Sequence, residues 1–386
     1  MTKSGKTTPI NIIVPQLNYT LFSGNSLEIQ VGTKFSFSNF NDSVIVSSLV
    51  NGNWSNNQAL TGTSQLKESI IAGFVEANYK IKDRIKLRAG IRYEWTDFYL
   101  TMNEPSQDIY RKYGNLFPTF SLSYRANSVN SMSVFYSKRI NRPTFNDIAP
   151  FVLFIDPYTF FSGNSAIQPS YTNTIGADFN LRNFLFSLSY SYEANSLAKF
   201  QISVDPTTNL ETVKPVNLYY TKSFSTGLTM PIPITSWWNF QSSINGLWQK
   251  IKTGSFHNNT TLNLSSLQMT GSQSFKLPKN YLVEVSGFYN TKMFAGTSLI
   301  QPYGGLNLGI QKKWNQGSTL RLNLNDVFNS IKSTAFVQML GYDIRNGYDF
   351  SQRTLKISYT YMFGIKVASH RNKAGLNAEE DRKRVE

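Results

Sequence analysis

Two arginines, Arg139 and Arg142, stand just ahead of Pro143, and Asp147 and Asp156 follow. Guanidinium and carboxylate groups at such spacing can pair and fix a loop, or the arginines can present positive charge to an anionic ligand. The structural role is the favoured reading. Pro143, Pro150, Pro157 and Pro169 supply no ladder donors, so they stop strands and restrict the shape of the segment between them. Gly163-Asn164 reads as a turn with positive φ. Catalytic chemistry finds less support: His257 and His370 are the chain's two histidines, and neither lies in a Ser-His-Asp or metal-ligand spacing. Gly304-Gly305 and Gly341 suit bends rather than a phosphate cradle. The chain is therefore expected not to be an enzyme and to carry no cofactor or metal.

The elements that position these residues are strands. In Leu355 to Gly364, the residues Leu355, Ile357, Tyr359, Tyr361 and Phe363 alternate with Lys356, Ser358, Thr360 and Met362. A strand presents successive side chains to opposite faces, so one face is apolar with an aromatic end and the other polar. Ile85, Leu87, Ala89, Ile91, Tyr93 and Trp95 likewise oppose Lys86, Arg88, Arg92 and Glu94. A lipid-facing Lys or Arg at the bilayer midplane costs about 2 to 4 kcal/mol, so this segregation is what a transmembrane barrel requires. Ile85, Leu87, Ile91, Phe186, Leu188, Val283, Leu322 and Ile357 are expected to face outward. Lys222 shares the parity of Tyr220 and Phe224 and is tolerable only at the outer interface.

Composition bounds the class. The chain has 386 residues, 40% hydrophobic and 14% aromatic, with no cysteine, and its mean hydropathy of −0.29 excludes a helical membrane protein. The net charge of +15 is scattered without a nucleic-acid recognition motif, so nucleic acid is not expected as a partner. Zero cysteines removes disulfide frameworks. Met1 to Pro15 lacks a secretory apolar core and cleavage site, which leads to the expectation that the chain begins partway through a longer precursor.

Connection lengths alternate. Short turns are expected near Lys82-Asp83, Arg125–Asn130, Arg182-Asn183, Pro231–Ser236, Leu277–Asn280 and Trp314–Ser318. Long loops are expected at Asn39–Glu68, Asp97–Asn115, Asn141–Tyr171, Asn195–Val216, Lys252–Asn259, Thr291–Pro302 and Asn329–Tyr348. Transmembrane barrels have short periplasmic turns and longer extracellular loops. The count is about 14 strands from Leu27 onward, and the segment around Ile10 to Phe22 adds one candidate more. The chain thus divides into an opening segment 1–26, a barrel domain 27–364 and a charged periplasmic tail 365–386, read as solvated, with docking to another envelope component as the sharper alternative.

The stretch from Ser131 to Asn180 is the most specific in the chain. Through Tyr136, Arg139, Arg142, Pro143, Pro150, Phe151, Asp156, Pro157, Gly163, Asn164, Pro169 and Thr172 it resembles the TonB-dependent outer-membrane receptors, most closely the outer-membrane β-barrel family common in Bacteroidetes. The resemblance extends through Leu27–Lys34, Gly90–Glu94, Leu320–Asn329 and Ser358–Gly364. It implies that the Arg142-Pro143 element ends one strand and the Gly163 to Pro169 element begins the next, across an extracellular loop. It also implies an outer-membrane location in a Gram-negative bacterium, lipid and the barrel-assembly machinery as partners, and uptake of a siderophore, oligosaccharide or peptide. Tyr359, Tyr361 and Phe363 resemble the carboxy-terminal signal read during barrel assembly.

The receptors it resembles have a 22-stranded barrel filled by an amino-terminal plug that contacts TonB. Nothing here reads as plug, and the count falls seven or eight strands short. The fold expected is all-β, a partial antiparallel transmembrane barrel of about 14–15 strands, the carboxy-terminal part of a receptor. TonB would be reached only through an upstream plug region. The alternative is a surface-binding or structural outer-membrane barrel that transports nothing. Open edges are expected, and specificity is expected in the Asn141–Tyr171 and Asn329–Tyr348 loops, which hold Phe151, Phe154, Tyr158, Phe160, Phe161, Tyr342 and Tyr348. Asparagine-rich loops such as Asn51–Asn57 with Trp54, and His257–Asn259, could recognise sugars or peptides, though solvated filler is the simpler reading.

Overall fold

The computed structural model describes residues 2–58, 61–103, 108–149, 152–156, 158–205, 207, 209–254, 259–314, 317–339, 342–349 and 353–363, with only the backbone described at 152–156, 333, 337–339, 342–344, 346, 348 and 349. One antiparallel sheet holds 18 strand segments. Residues 2–23 contribute three of these, Thr2–Thr7, Ile10–Ile13 and Gln16–Ser23, all paired to Leu27–Val50 in a single register: Thr2 lies opposite Ser48, Ile10 opposite Phe40 and Gln16 opposite Lys34. Pro9 and Pro15 lack the ladder donor but still accept, from Asn41 N at 3.1 Å and Phe35 N at 2.9 Å, so the strand is interrupted and not displaced. Asn53–Asn56 and Gly62–Ile81 pair successively with the other edge of Leu27–Val50.

Counted as continuous elements, these two interrupted strands join thirteen others, making fifteen. The others are Leu27–Val50, Ile85–Met102, Ile109–Arg125, Asn130–Asn141, Ser170–Leu181, Phe184–Ala194, Tyr220–Pro233, Trp238–Lys252, Thr261–Leu277, Tyr281–Asn290, Tyr303–Lys313, Ser318–Asn325 and Thr354–Tyr361. Each pairs with its neighbour in the chain. Among the described residues no ladder joins residues 2–23 to Thr354–Tyr361. Both edges are open, as the partial-barrel expectation requires.

Period-2 alternation decides which side of the sheet meets lipid. Ile91, Tyr93 and Trp95 are exposed while Glu94 and Thr96, on the alternate positions, are buried, and Ile71, Val75 and Tyr79 are exposed in the same way on the neighbouring strand. Ile357 is likewise exposed. Lys222 sits at the loop end of Tyr220–Pro233, its Nζ 5.9 Å from the Tyr192 ring and 5.3 Å from Tyr220. An ammonium among interfacial rings at that height has water within reach.

Two loop expectations are corrected. Asn39–Glu68 and Asp97–Asn115 are mostly strand: Leu27–Val50 and Gly62–Ile81 stay paired up to Val44 opposite Gly62, and Ile85–Met102 pairs with Ile109–Arg125 up to Leu100 opposite Ile109. Alternation fails there because the inner face turns apolar. Phe40, Val44, Val46, Leu66, Phe98 and Leu100 point inward and are buried, while Ile45, Leu49 and Tyr99 stay exposed on the other side. With apolar residues on both faces, a strand no longer reads as one.

Four of the remaining long loops carry strands of their own. Val152–Asp156, Thr159–Ser162, Glu211–Asn217 and Leu197–Val204 form a four-stranded sheet from two loops, Thr159–Ser162 running parallel to Glu211–Asn217. Met293–Ala295, Ser298–Ile300, Lys332–Met339 and Tyr342–Asp349 form another. Residues 364–386, which include the tail, lie outside the described residues.

At the last strand, Tyr359, Tyr361 and Phe363 are exposed, and the Tyr361 and Phe363 rings stack at 6.4 Å. Amphipathic rings are favoured in an interfacial girdle. If they carry an assembly signal, Phe363→Asp should lower the amount of heat-modifiable, membrane-inserted protein while export continues. Unchanged insertion of that variant would remove the role.

Candidate functional site

The segment between Asn141 and Ser170 folds back against the inner face. Pro143 ends the strand. Thr144 then caps the short helix Phe145–Ile148, its Oγ1 accepting from Asp147 N at 3.2 Å while the Asp147 carboxylate accepts from Thr144 N at 2.8 Å. This reciprocal cap satisfies donors that a helix start leaves unpaired. It also aims Phe145 and Ile148 at the wall, where Phe145 stacks on Phe40 at 4.9 Å and the pair joins Leu66, Phe98, Leu100, Ala149 and Ile167 in one buried cluster.

The returning limb is held by its backbone. Asn164 N donates to Asp147 O at 2.7 Å, and Arg111 donates to Ile167 O at 2.5 Å and Ser165 O at 2.6 Å. Gln168 and the Asn217 side chain exchange two hydrogen bonds, at 2.8 and 2.9 Å. Gly163 is not in the left-handed region, which corrects the expected turn. Its glycine is required by contact: a Cβ there would lie 1.9 Å from Ala149 O.

Arg142 is the electrostatic centre. Its Nη2 donates to Glu94 Oε2 at 2.7 Å and to Thr96 Oγ1 at 3.0 Å, and Arg92 Nε lies 2.9 Å from Glu94 Oε1. Only 9% of the Arg142 side chain and 10% of Glu94 remain exposed, so both charges are held in a setting where each needs the other. Burial alone would pull the Arg142 guanidinium down, but Glu94, followed by Tyr113 and Glu68, raises it above its ordinary value and keeps it charged. The expected partner Asp147 instead caps the helix and lies 3.2 Å from Lys199; Asp156 has only its backbone described. The reason is topological, because strand pairing sets Glu94 under the loop while the cap turns Asp147 away.

Of the motif residues, the structure brings together Arg142, Pro143, Gly163, Asn164 and Pro169. Arg139 is exposed on its strand. Pro150, Phe151 and Pro157 lie outside the described residues. Sequence reasoning missed Glu68, Glu94, Thr96 and Arg111 as partners of this segment. Their available signal was polarity on the face opposite Ile91, Tyr93 and Trp95.

A cavity of about 400 Å³ opens beside the helix. Lys6, Asp147, Lys199, Lys214, Phe161 and Phe200 line it. Lys6 Nζ lies 2.7 Å from Asn146 Oδ1 and 3.8 Å from Asp42. Among the described residues, no group of three or more His, Cys, Asp or Glu side chains could hold a metal ion.

An antiparallel sheet with a lipid-facing apolar side, short turns at one rim and structured loops at the other defines an outer-membrane barrel protein. The chain belongs to the outer membrane protein beta-barrel family, whose model matches residues 2–361. No curated protein matches it. Among solved structures it is similar to the siderophore receptor PiuA from Acinetobacter baumannii, at 13% identity and TM-score 0.62, over 92% of this chain and 56% of that one. It is similar to the copper transporter OprC at 10% identity and TM-score 0.64, over 92% and 56%. It is similar also to the ferric-catecholate import receptor Fiu from E. coli K12, at 13% identity and TM-score 0.60, over 93% and 55%. The chain spans just over half the length of these structures, and the likeness establishes the fold.

Proposed function

We propose that this chain is the barrel portion of a TonB-dependent outer-membrane receptor that imports a small ligand, in the class of a siderophore, oligosaccharide or peptide. The observation that carries the reading is the fifteen-stranded sheet with two open edges, which overlies just over half of receptors and a transporter. The ligand is captured by the outer loops, and no bond of it is made or broken. TonB engages through a plug region belonging to the whole protein, and outer-membrane lipid and the barrel-assembly machinery complete its partners.

The test is nutritional. Cells lacking the gene should fail to grow when iron, a glycan or a peptide is supplied only in the limiting form this receptor imports, and removing TonB should reproduce that failure. Growth equal to the parent on all three ligand classes, with the protein present at the surface of the parent, would favour a barrel that transports nothing.

A further inference from the structure

The cavity beside the helix has a feature the ladder itself does not require. Along Leu197–Val204, pairing with Glu211–Asn217 shifts between Ala198 and Gln201, leaving Lys199 and Phe200 out of register. Phe200 sits at φ +55°, a left-handed conformation costly for a bulky residue, and the residue is 66% exposed. Bulges re-aim side chains, and here both bulged residues line the cavity. The bulge is anchored from behind by the buried Gln201, whose Nε2 donates to Lys199 O at 2.9 Å and whose Oε1 accepts from Thr297 Oγ1.

The walls differ in character. Phe200 meets Phe161 edge to face at 5.9 Å, giving an apolar side. Among the described lining residues three ammonium groups, Lys6, Lys199 and Lys214, outnumber one carboxylate, Asp147, and Lys6 also lies 3.8 Å from Asp42 behind the lining. Asp147 is already engaged by Thr144 and Lys199; the Lys199 side chain is about half exposed at that contact, so it can turn to a ligand while Asp147 keeps its bonds to Thr144. Lysine ammoniums act as point charges and suit carboxylate or phosphate oxygens. A volume of about 400 Å³ lies within the range of small-molecule sites.

We propose that this cavity binds a small anion carrying a flat apolar ring, its acidic groups against Lys199 and Lys214 with Lys6 behind them and its ring on Phe200 and Phe161. The assignment deepens the receptor reading by giving its ligand a chemical class. Binding is read on purified protein, with no transport step, so the two can fail separately: uptake without cavity binding sinks the cavity alone.

The probe is naphthalene-2,6-dicarboxylate, compared with the neutral naphthalene-2,6-dicarboxamide by calorimetry on the whole protein extracted from the outer membrane in a non-ionic detergent. The dianion should bind about tenfold or more tightly than the diamide, and added salt should narrow the gap. The Lys199→Gln, Lys214→Gln double variant, which keeps Lys6, should reduce that preference about threefold or more. Phe200→Gly should weaken both probes while thermal stability holds or rises, because glycine accepts positive φ without strain. Equal affinity for the two probes, no dianion binding, or a preference undiminished in the lysine variant would overturn the assignment.

Discussion

Replacing Arg142 by Met should release the helix-bearing loop while leaving the barrel sheet intact. The substitution keeps most of the apolar stem and removes the charge that meets Glu94 at 2.7 Å. Breaking a buried ion pair by deleting one partner costs about 3 to 5 kcal/mol, because the other charge stays behind without compensation. Here Arg92 still lies 2.9 Å from Glu94, which puts the expected cost near the lower end. Hydrogen exchange read segment by segment should show residues 144–149 and 163–169 opening about a hundredfold more readily, with the amides of Leu27–Val50 unaffected. Adding Glu94→Gln should restore part of the protection, since it removes the stranded charge. Unaltered exchange in the single variant would mean that the apolar cluster and the other hydrogen bonds hold the loop without the ion pair.

Gly163→Ala should undo the same docking from the other limb. The added Cβ would sit 1.9 Å from Ala149 O, 2.8 Å from its carbonyl carbon and 3.0 Å from its nitrogen. All three are backbone atoms, so no rotamer change relieves the overlap, and the 2.7 Å bond from Asn164 N to Asp147 O must stretch or break. Overpacking typically costs about 1 to 3 kcal/mol, and contact with fixed backbone belongs at the upper end. Gly73→Ala is the matched control, because a Cβ there meets nothing within 4 Å. Faster proteolysis across residues 145–168 in Gly163→Ala, but not in Gly73→Ala, is the outcome expected; equal cleavage of the two would make the close approach irrelevant.

How far the fold could be read from the sequence follows from what each strand faces. Where one side meets lipid and the other water, as along Ile85 to Trp95, the two faces differ in kind and alternation reveals the strand. Above that band the same strands bury Phe40, Leu66, Phe98 and Leu100 under Phe145 and Ile148, and the contrast between faces disappears. The strands were therefore read as ending too soon. The site was legible in a different measure. Arg142 and Gly163 stood out as motif residues, but the partner of Arg142 is 48 positions away on another strand, and proximity in sequence pointed to Asp147. A close approach such as that of Gly163 to Ala149 leaves no mark beyond the glycine itself. The cavity depends on a bulge, and nothing at Lys199-Phe200 distinguishes a bulge from a regular strand.

The continued pairing of Leu27–Val50 gives the mouth an uneven height. Its 24 residues at about 3.4 Å each make a contour of about 80 Å. A tilt of about 40° reduces the vertical reach to roughly 60 Å against an apolar band about 25 Å tall. Ser318–Asn325 and Thr354–Tyr361, of eight residues each, have no such excess. The paired sheet is thus tall on one flank and short on the other, where the connection between the two short strands carries part of the second loop sheet instead. The helix Phe145–Ile148 and the cavity at Lys6 lie against the tall flank, since Phe145 stacks on Phe40 and Lys6 pairs opposite Val44 of that same strand. The tall flank thus braces the docked loop from one side, an inner wall raised well past the apolar band.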